Sequence, residues 1–579
     1  MVTFIHVLAG IAIYLLIILF LKKKGYLSES VSLYGPIVQL HSQRGLNLIE
    51  KISSKERFWK LWGSAGYILA LGGLVSSFLL IVFAAEQTLR MPDQQVISEP
   101  RNMLVIPGVN DFLPLEAAGE LVIGLLLALV VHEGGHAIMC RIADMDIEST
   151  GLVFIGPIPM GAFVQPDEES VQRASIISRL RMYSGGVMNN MALSVLLLVL
   201  LAGPMLSVVS PAPGAGVDGV VTDGPADLAE IAPGDRITAI DGTPIDSNDE
   251  FNDYIQQSDS PQLMIEIDGE RTTTVERSVI VRAVPASLSE LETGDHITHL
   301  NGERVQTTAE FESMVQDSEG ALAVETRTGK TVQFIAGALV YPQPEQALSS
   351  SIGGTEGPLL ITQVGDYRVK SSSDLTAALD EYTVGETIVV TTVSNGEESE
   401  NSVVLGESEG EAFLGVSTVA GTSGIETTDF GAALFPTEDF LNILKQSSES
   451  TVGWAQRMFL TLFLPFASIA GFSTNFPGFT PYVQNFYVAQ GVPTALVPLW
   501  FFTASAMFWT VWVNVNLAIF NCLPTVFLDG GYILRDSLAL LSEKIPLPTE
   551  AAQTYLSYGI MAITGIAVLT LLFAPQLLL

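Results

Sequence analysis

The chain has 579 residues, 48% of them apolar and only 15% charged, with a formal net charge of −35 and a mean hydropathy of +0.41. Soluble proteins carry about 25% charged residues, so these figures exclude an ordinary soluble enzyme and a disordered chain. The acidic balance also excludes a nucleic-acid binder. The charge is concentrated: residues 210–450 hold 42 acidic and 10 basic side chains. One polar block therefore lies between apolar flanks. A surface so acidic and poor in lysine suits a halophilic, high-salt setting, where carboxylates hold hydration and counter-ions screen their repulsion.

A bilayer crossing needs about 20 largely apolar residues. In chain order, segments 2–21, 61–85, 119–140, 183–209, 495–520 and 555–578 qualify. The run 459–472 is shorter, follows Arg457 and contains Pro465, and is expected to be interfacial or re-entrant. Segment 2–21 lacks a preceding positive charge and is followed by Lys22, Lys23 and Lys24, the pattern of a retained anchor rather than a cleaved leader. The 22–60 loop carries eight Lys and Arg, and the 141–182 loop carries Arg141, Arg173, Arg179 and Arg181; both should be cytoplasmic. The 86–118 loop, with only Arg90 and Arg101, and the acidic block should be outside. The expected fold class is a polytopic α-helical membrane protein of about six transmembrane helices with an extracytoplasmic, β-rich α+β insertion. Cys140 and Cys522, the only cysteines, give no disulfide framework and read as buried free thiols.

The acidic block contains a repeat. Ile237–Ile255, Ile297–Val315 and Ile361–Leu379 align without gaps, each reading as strand, tight turn, short strand and helix. A second hairpin signal follows each, at Asp268-Gly269, Thr328-Gly329 and Asn395-Gly396. Gly234-Asp235 and Gly294-Asp295 precede the first two copies, and the pattern GD-x-I-x-x-[IL]-[DN]-G resembles PDZ domains. The third copy lacks the upstream part, and the spacing of about 60 residues suggests truncated copies or shared strands. PDZ folds bind extended peptides by strand addition.

The sharpest chemical signal is His132-Glu133-Gly134-Gly135-His136. Residues four apart share a helix face, so both imidazoles can reach one Zn²⁺, with Glu133 beside them to accept a proton from a water that the metal acidifies. Eleven apolar residues, Leu121–Val131, precede the motif, which places it about 16 Å into the membrane from the outer side. Ionisable groups at that depth are costly and therefore functional candidates. A catalytic zinc usually has three protein ligands. His296 and His299 lie in the outer repeats, so the third ligand should be a carboxylate beside another span: Asp529, or less well Asp536 next to Arg535.

The motif, together with Asn521-x-x-Pro524-x-x-x-Leu528-Asp529-Gly530, resembles the site-2 protease family of intramembrane zinc metalloproteases. Gly156–Val164 resembles that family's membrane-embedded β-hairpin. Ser184-Gly185-Gly186-Val-Met-Asn189 resembles its G-P-x-x-N motif, with Gly186 where the family has proline. The resemblance implies one zinc per chain held by His132, His136 and Asp529, with Glu133 as general base and proton donor. It implies substrate contacts at Asn189, Asn521, Gly161 and Phe163. The expected organisation is two N-terminal transmembrane helices (1–118), the first half of the protease core (119–209), the PDZ-like repeats (210–411), a return segment (412–494) and the second half of the core with the last helix (495–579). The function so implied is regulated intramembrane proteolysis at the cell membrane, acting on transmembrane substrates trimmed beforehand by another protease. A proton- or metal-coupled transporter and a membrane-tethered PDZ-like adaptor are the competing readings.

Overall fold

The computed structural model describes the chain apart from residues 1–3, 26–30, 35–36, 43, 91–99, 104–105, 111, 156–157, 286–289, 344–345, 353–356, 395–396, 409, 446–453, 471, 543–549 and 579. Gly156 and Pro157 of the expected hairpin and the turn Asn395-Gly396 therefore lie outside the described residues. The chain divides into two compact units: Met1–Ser210 with Glu438–Leu579, and Pro211–Thr437.

The first unit is helical. In chain order it contains α1 (Phe4–Lys23), β1 (Val31–Tyr34), β2 (Ile37–Ser42), α2 (Arg44–Ser53), α3 (Glu56–Arg90), α4 (Ala118–Ile142), β3 (Ile147–Ile155), β4 (Ile158–Pro166), α5 (Glu168–Arg173), α6 (Ile176–Leu200), α7 (Val497–Cys522), α8 (Asp529–Ser542) and α9 (Glu550–Leu578). Five described helical segments are long and apolar enough to cross a bilayer: 56–90, 115–142, 176–205, 494–522 and 552–574. They correspond to five of the six expected spans, and α1 covers the remaining one. The expected non-crossing run forms a helix over Trp454–Phe463 and a tighter turn over Leu464–Ala470, shorter than a crossing requires.

Helices α4, α6 and α7 pack on one another, and α3 packs on α6. Close approach is built into α4 and α6: a Cβ on Gly135 would lie 2.3 Å from the Gly185 carbonyl oxygen, and one on Gly185 would lie 2.7 Å from that of Gly135. Small residues let two membrane helices touch through their backbones. Around this contact Ile138, Met139, Cys140, Tyr183, Val187, Cys522 and Ile533 form a buried cluster. Both cysteines are buried and free. Large apolar side chains such as Ile68, Leu80, Val130, Leu196 and Ile566 remain exposed along the long helices, as a lipid-facing surface would present them.

The expected hairpin extends over β3 and β4, and the N-terminal loop adds to it. Strands β1-β2-β3-β4 form one antiparallel sheet, with β2 pairing β3 from Ile37↔Ile155 to Ser42↔Thr150. The edge strand β4 runs beside α4.

The second unit holds three repeats, each with its own buried core. The opening strands are Ala215–Val220, Ile280–Ala283 and Ala338–Pro342. Each is followed by the expected strand, turn, short strand, helix and hairpin, and the three helices are capped by Ser247, Thr307 and Ser371. The third copy therefore has its upstream strand, contrary to expectation. Its Gly-Asp signal is missing, but the strand Ala338–Pro342 pairs with Leu359–Val364 as Ala215–Val220 pairs with Arg236–Ile240. The unit also runs past the expected end at residue 411, for a structural reason. Three short return strands complete the repeats in reverse order: Val416–Thr418 pairs with the third, Glu426–Thr428 with the second and Ala432–Leu434 with the first. The equivalent residues Val340, Val281 and Val217 face Thr418, Thr427 and Leu434. A buried ion pair, Arg277 Nη2 to Asp429 Oδ2 at 2.5 Å, ties the return segment to the start of the second repeat. Asp429 also accepts the Thr308 backbone N–H at 2.7 Å.

Candidate metal centre

The α4 helix carries His132 and His136 on one face and Glu133 beside them, with His132 buried. The opposing carboxylate comes from the first residue of α8. The chain folds back sharply after α7, so tightly that a Cβ on Gly530 would lie 2.3 Å from the Cys522 carbonyl oxygen. This turn brings Asp529 Oδ2 to 3.2 Å from His132 Nε2 and 3.4 Å from His136 Nε2, while the two Nε2 atoms are 3.1 Å apart.

These three atoms fit a divalent cation. Tetrahedral zinc with bonds of about 2.1 Å holds its ligand atoms about 3.4 Å apart. Among the described residues, the buried Asp529 Oδ2 has no hydrogen-bond partner, so the oxygen facing the imidazoles is an acceptor suited to a positive centre. His136 donates from Nδ1 to the Met182 carbonyl at 2.8 Å, which leaves the Nε2 lone pair directed at the group. Glu133 lies one residue from His132, and its Oε2 accepts the Val164 backbone N–H of β4 at 3.0 Å.

The remaining expected site residues are placed differently. Asn189 accepts from Trp62 Nε1 at 2.9 Å and donates to the Val131 carbonyl at 3.3 Å, bridging α3, α6 and α4. Asn521 donates to the Leu517 carbonyl at 3.0 Å within α7. Among the described residues, no hydrogen bond joins either amide to the three-residue group. Gly161 and Phe163 lie on β4 opposite Val153 and Gly151, and the Phe163 ring packs edge-on to His41 of β2, 5.1 Å between centroids. Asp536 is no ligand: it pairs with Arg179 Nε at 2.6 Å.

Two residues of α6, Gly186 and Asn190, border the His132 ring. A Cβ on Gly186 would fall 2.6–2.7 Å from three atoms of the His132 ring, so in this chain a side chain there would have to displace ring or helix, whereas the family's proline at this position requires a wider spacing. Asn190, fully buried, places its amide 3.4 Å from His132 Nδ1. Met182, Gly186 and Asn190 are spaced by four on one face of α6, a pattern that becomes visible once that face is known to meet α4.

His132 and His136 of a membrane-length helix and Asp529 at the head of a shorter one form a group that could hold a metal ion. The chain matches Peptidase family M50 over residues 120–566 and belongs to that family, the site-2 proteases. It is also 26% identical over 143 residues to an uncharacterized protein of Methanocaldococcus jannaschii, covering 24% of this chain and 37% of that relative. The match thus spans little more than a third of the relative's length.

Proposed function

We propose that the chain is a zinc-dependent intramembrane endopeptidase that hydrolyses peptide bonds within transmembrane segments of other membrane proteins. The observation that carries this reading is the convergence of His132, His136 and Asp529 through three atoms 3.1–3.4 Å apart, beside Glu133. These three residues would hold one zinc ion per chain, which supplies Lewis-acid polarisation of the scissile carbonyl and of water. Glu133 takes a proton from the attacking water and returns it to the leaving amine. The Gly135–Gly185 contact packs the helices closely beside the site, where charge interactions are stronger than in bulk water.

A transmembrane substrate must unwind locally, and its freed backbone groups then need partners. Edge strand β4 offers them. Val164 directs its N–H away from β3 toward Glu133, so by alternation Ala162 also presents its N–H and C=O outward. Phe163 points its backbone groups to β3 instead and serves the sheet. Asn189 and Asn521 act in this reading as substrate contacts after releasing their helix carbonyls. The polar unit 211–437 is placed outside the cell membrane, with α1 as a sixth crossing and the catalytic side toward the cytoplasm; the charge asymmetry of the loops supports this. Its PDZ-like repeats restrict entry to pre-trimmed substrates, as in regulated intramembrane proteolysis, and its acidity suits high salt.

Cleavage of a single-span substrate by purified wild type and by Glu133→Gln tests the assignment. The expected result is cleavage by the wild type alone. Equal cleavage by both would overturn it, and transport without proteolysis in vesicles would favour the transporter. Deleting 211–437, which removes the return strands with their repeats, should release cleavage of untrimmed substrates if the unit filters by size. It should weaken cleavage of trimmed ones if the repeats bind peptide.

A further inference from the structure

We infer that Asn190 is the positioning residue for His132, accepting the Nδ1–H of that ring and so fixing the tautomer whose Nε2 faces the metal. The inference rests on reading His132, His136 and Asp529 as metal ligands. A ligating histidine commonly donates its second ring N–H to a fixed acceptor, which sets ring orientation and raises ligand basicity. His136 has such an acceptor in the Met182 carbonyl at 2.8 Å. For His132 the group in that position is the Asn190 amide, 3.4 Å from Nδ1.

Three observations point to this role rather than to simple helix packing. First, Asn190 is fully buried within a membrane-length helix, where an unused amide is costly. Second, among the described residues its side chain has no hydrogen-bond partner but His132, and its Oδ1 has none at all. Third, the two orientations of the amide differ in consequence. With Nδ2 toward the ring, Nδ1 is the acceptor and the ring proton sits on Nε2, 3.2 Å from Asp529 Oδ2, where it blocks ligation. With Oδ1 toward the ring, the proton sits on Nδ1 and the Nε2 lone pair is free. Oxygen and nitrogen of an amide exchange by a half-turn about one bond, and the network decides which is present. Metal binding selects the second orientation. Met182, Gly186 and Asn190 thus form a stripe on α6 that holds one imidazole, makes room for the other and orients it.

The test is metal affinity in the purified full-length protein, measured by chelator competition for Zn²⁺ and by the visible spectrum of the Co²⁺ form. Asn190→Leu, which removes the acceptor at similar volume, should weaken Zn²⁺ binding by about 10- to 100-fold and alter the Co²⁺ bands. Asn190→Asp, which keeps an acceptor, should bind within about threefold of wild type or tighter. Ser194→Ala, which removes the buried hydroxyl bonded to the Asn190 carbonyl at 2.9 Å, controls for packing and should bind as wild type does. Should Asn190→Leu not yield monodisperse protein, Asn190→Ala carries the same comparison. Wild-type affinity in the apolar variant, or equal weakening in Asn190→Asp, would overturn the inference. Loss of zinc in His132→Ala but not in Asn190→Leu would refute this role alone; zinc retained in His132→Ala would refute the metal-site reading itself.

Discussion

Replacing Gly186 by alanine sets a methyl group against the ring of His132. The added carbon would lie 2.6 Å from the nearest ring atom, whereas tight contact begins at 3.0 Å and ordinary contact at 3.4 Å, so ring and helix must separate by about 0.4–0.8 Å. A shift of the ring disturbs its spacing to His136 and Asp529, whose ligand atoms stand 3.1 and 3.2 Å from its Nε2. Metal sites tolerate deviations of about 0.2 Å, and a misplacement near 1 Å costs about 100-fold in rate, or about 2.7 kcal/mol of barrier. Gly186→Ala should therefore lose about tenfold in zinc affinity and between about tenfold and 100-fold in cleavage. The overpacking itself costs about 1–3 kcal/mol of stability, which leaves the protein folded. Competition with a zinc chelator and cleavage of a single-span substrate measure the two losses on the same preparation. Full zinc affinity with cleavage within threefold of wild type would refute the reasoning, because the clash would then be relieved without moving a ligand.

Three further outcomes test separate parts of the molecule. Asp429→Ala strands the buried Arg277 guanidinium and should destabilise the 211–437 unit by about 3–5 kcal/mol in thermal unfolding while zinc content stays unchanged; an unaltered melting profile would deny the return segment its anchoring role. Ala162→Pro removes an outward N–H from β4 and should reduce cleavage by tenfold or more with zinc retained; unchanged cleavage would speak against strand addition at that edge. Burial, aided by the nearby Arg327, holds the His296 imidazole below its ordinary pKa, with Asp223 and Asp295 opposing. Its folded value is thus depressed, so the unfolded chain binds the proton more readily, and the unit loses stability as pH falls below about 6.5. His296→Asn should flatten that part of the stability–pH curve, and an unchanged slope would assign it to other groups.

The parts legible in the sequence are those whose chemistry forces a local pattern. Two imidazoles on one helix face need a spacing of four, so His132 and His136 declare themselves. Asp529 is identifiable because few carboxylates border a span. The repeats show through their period. What stayed hidden depends on partners distant in the chain. Strand β2 reads as part of a basic loop until β3, more than a hundred residues on, is seen to pair with it. The return strands are three residues each, too short for alternation to register. The sequence does not separate Asn190 from its neighbour Asn189, because a one-residue step turns a side chain by about 100° around the helix, and only the packing of α6 on α4 tells which of the two faces His132. Gly186 stands out in the sequence only as a departure from the family's proline, and its contact with a ring on another helix shows in the packing alone.

The proposed function requires that His132, His136 and Asp529 together hold a single zinc ion. Zinc content per chain in wild type and in Asp529→Ala, purified alike and challenged with the same chelator, tests it most directly. The expected result is about one zinc per wild-type chain and a clear loss from the variant. Equal zinc in both proteins, or none in either after purification without chelator in zinc-containing buffer, would contradict it.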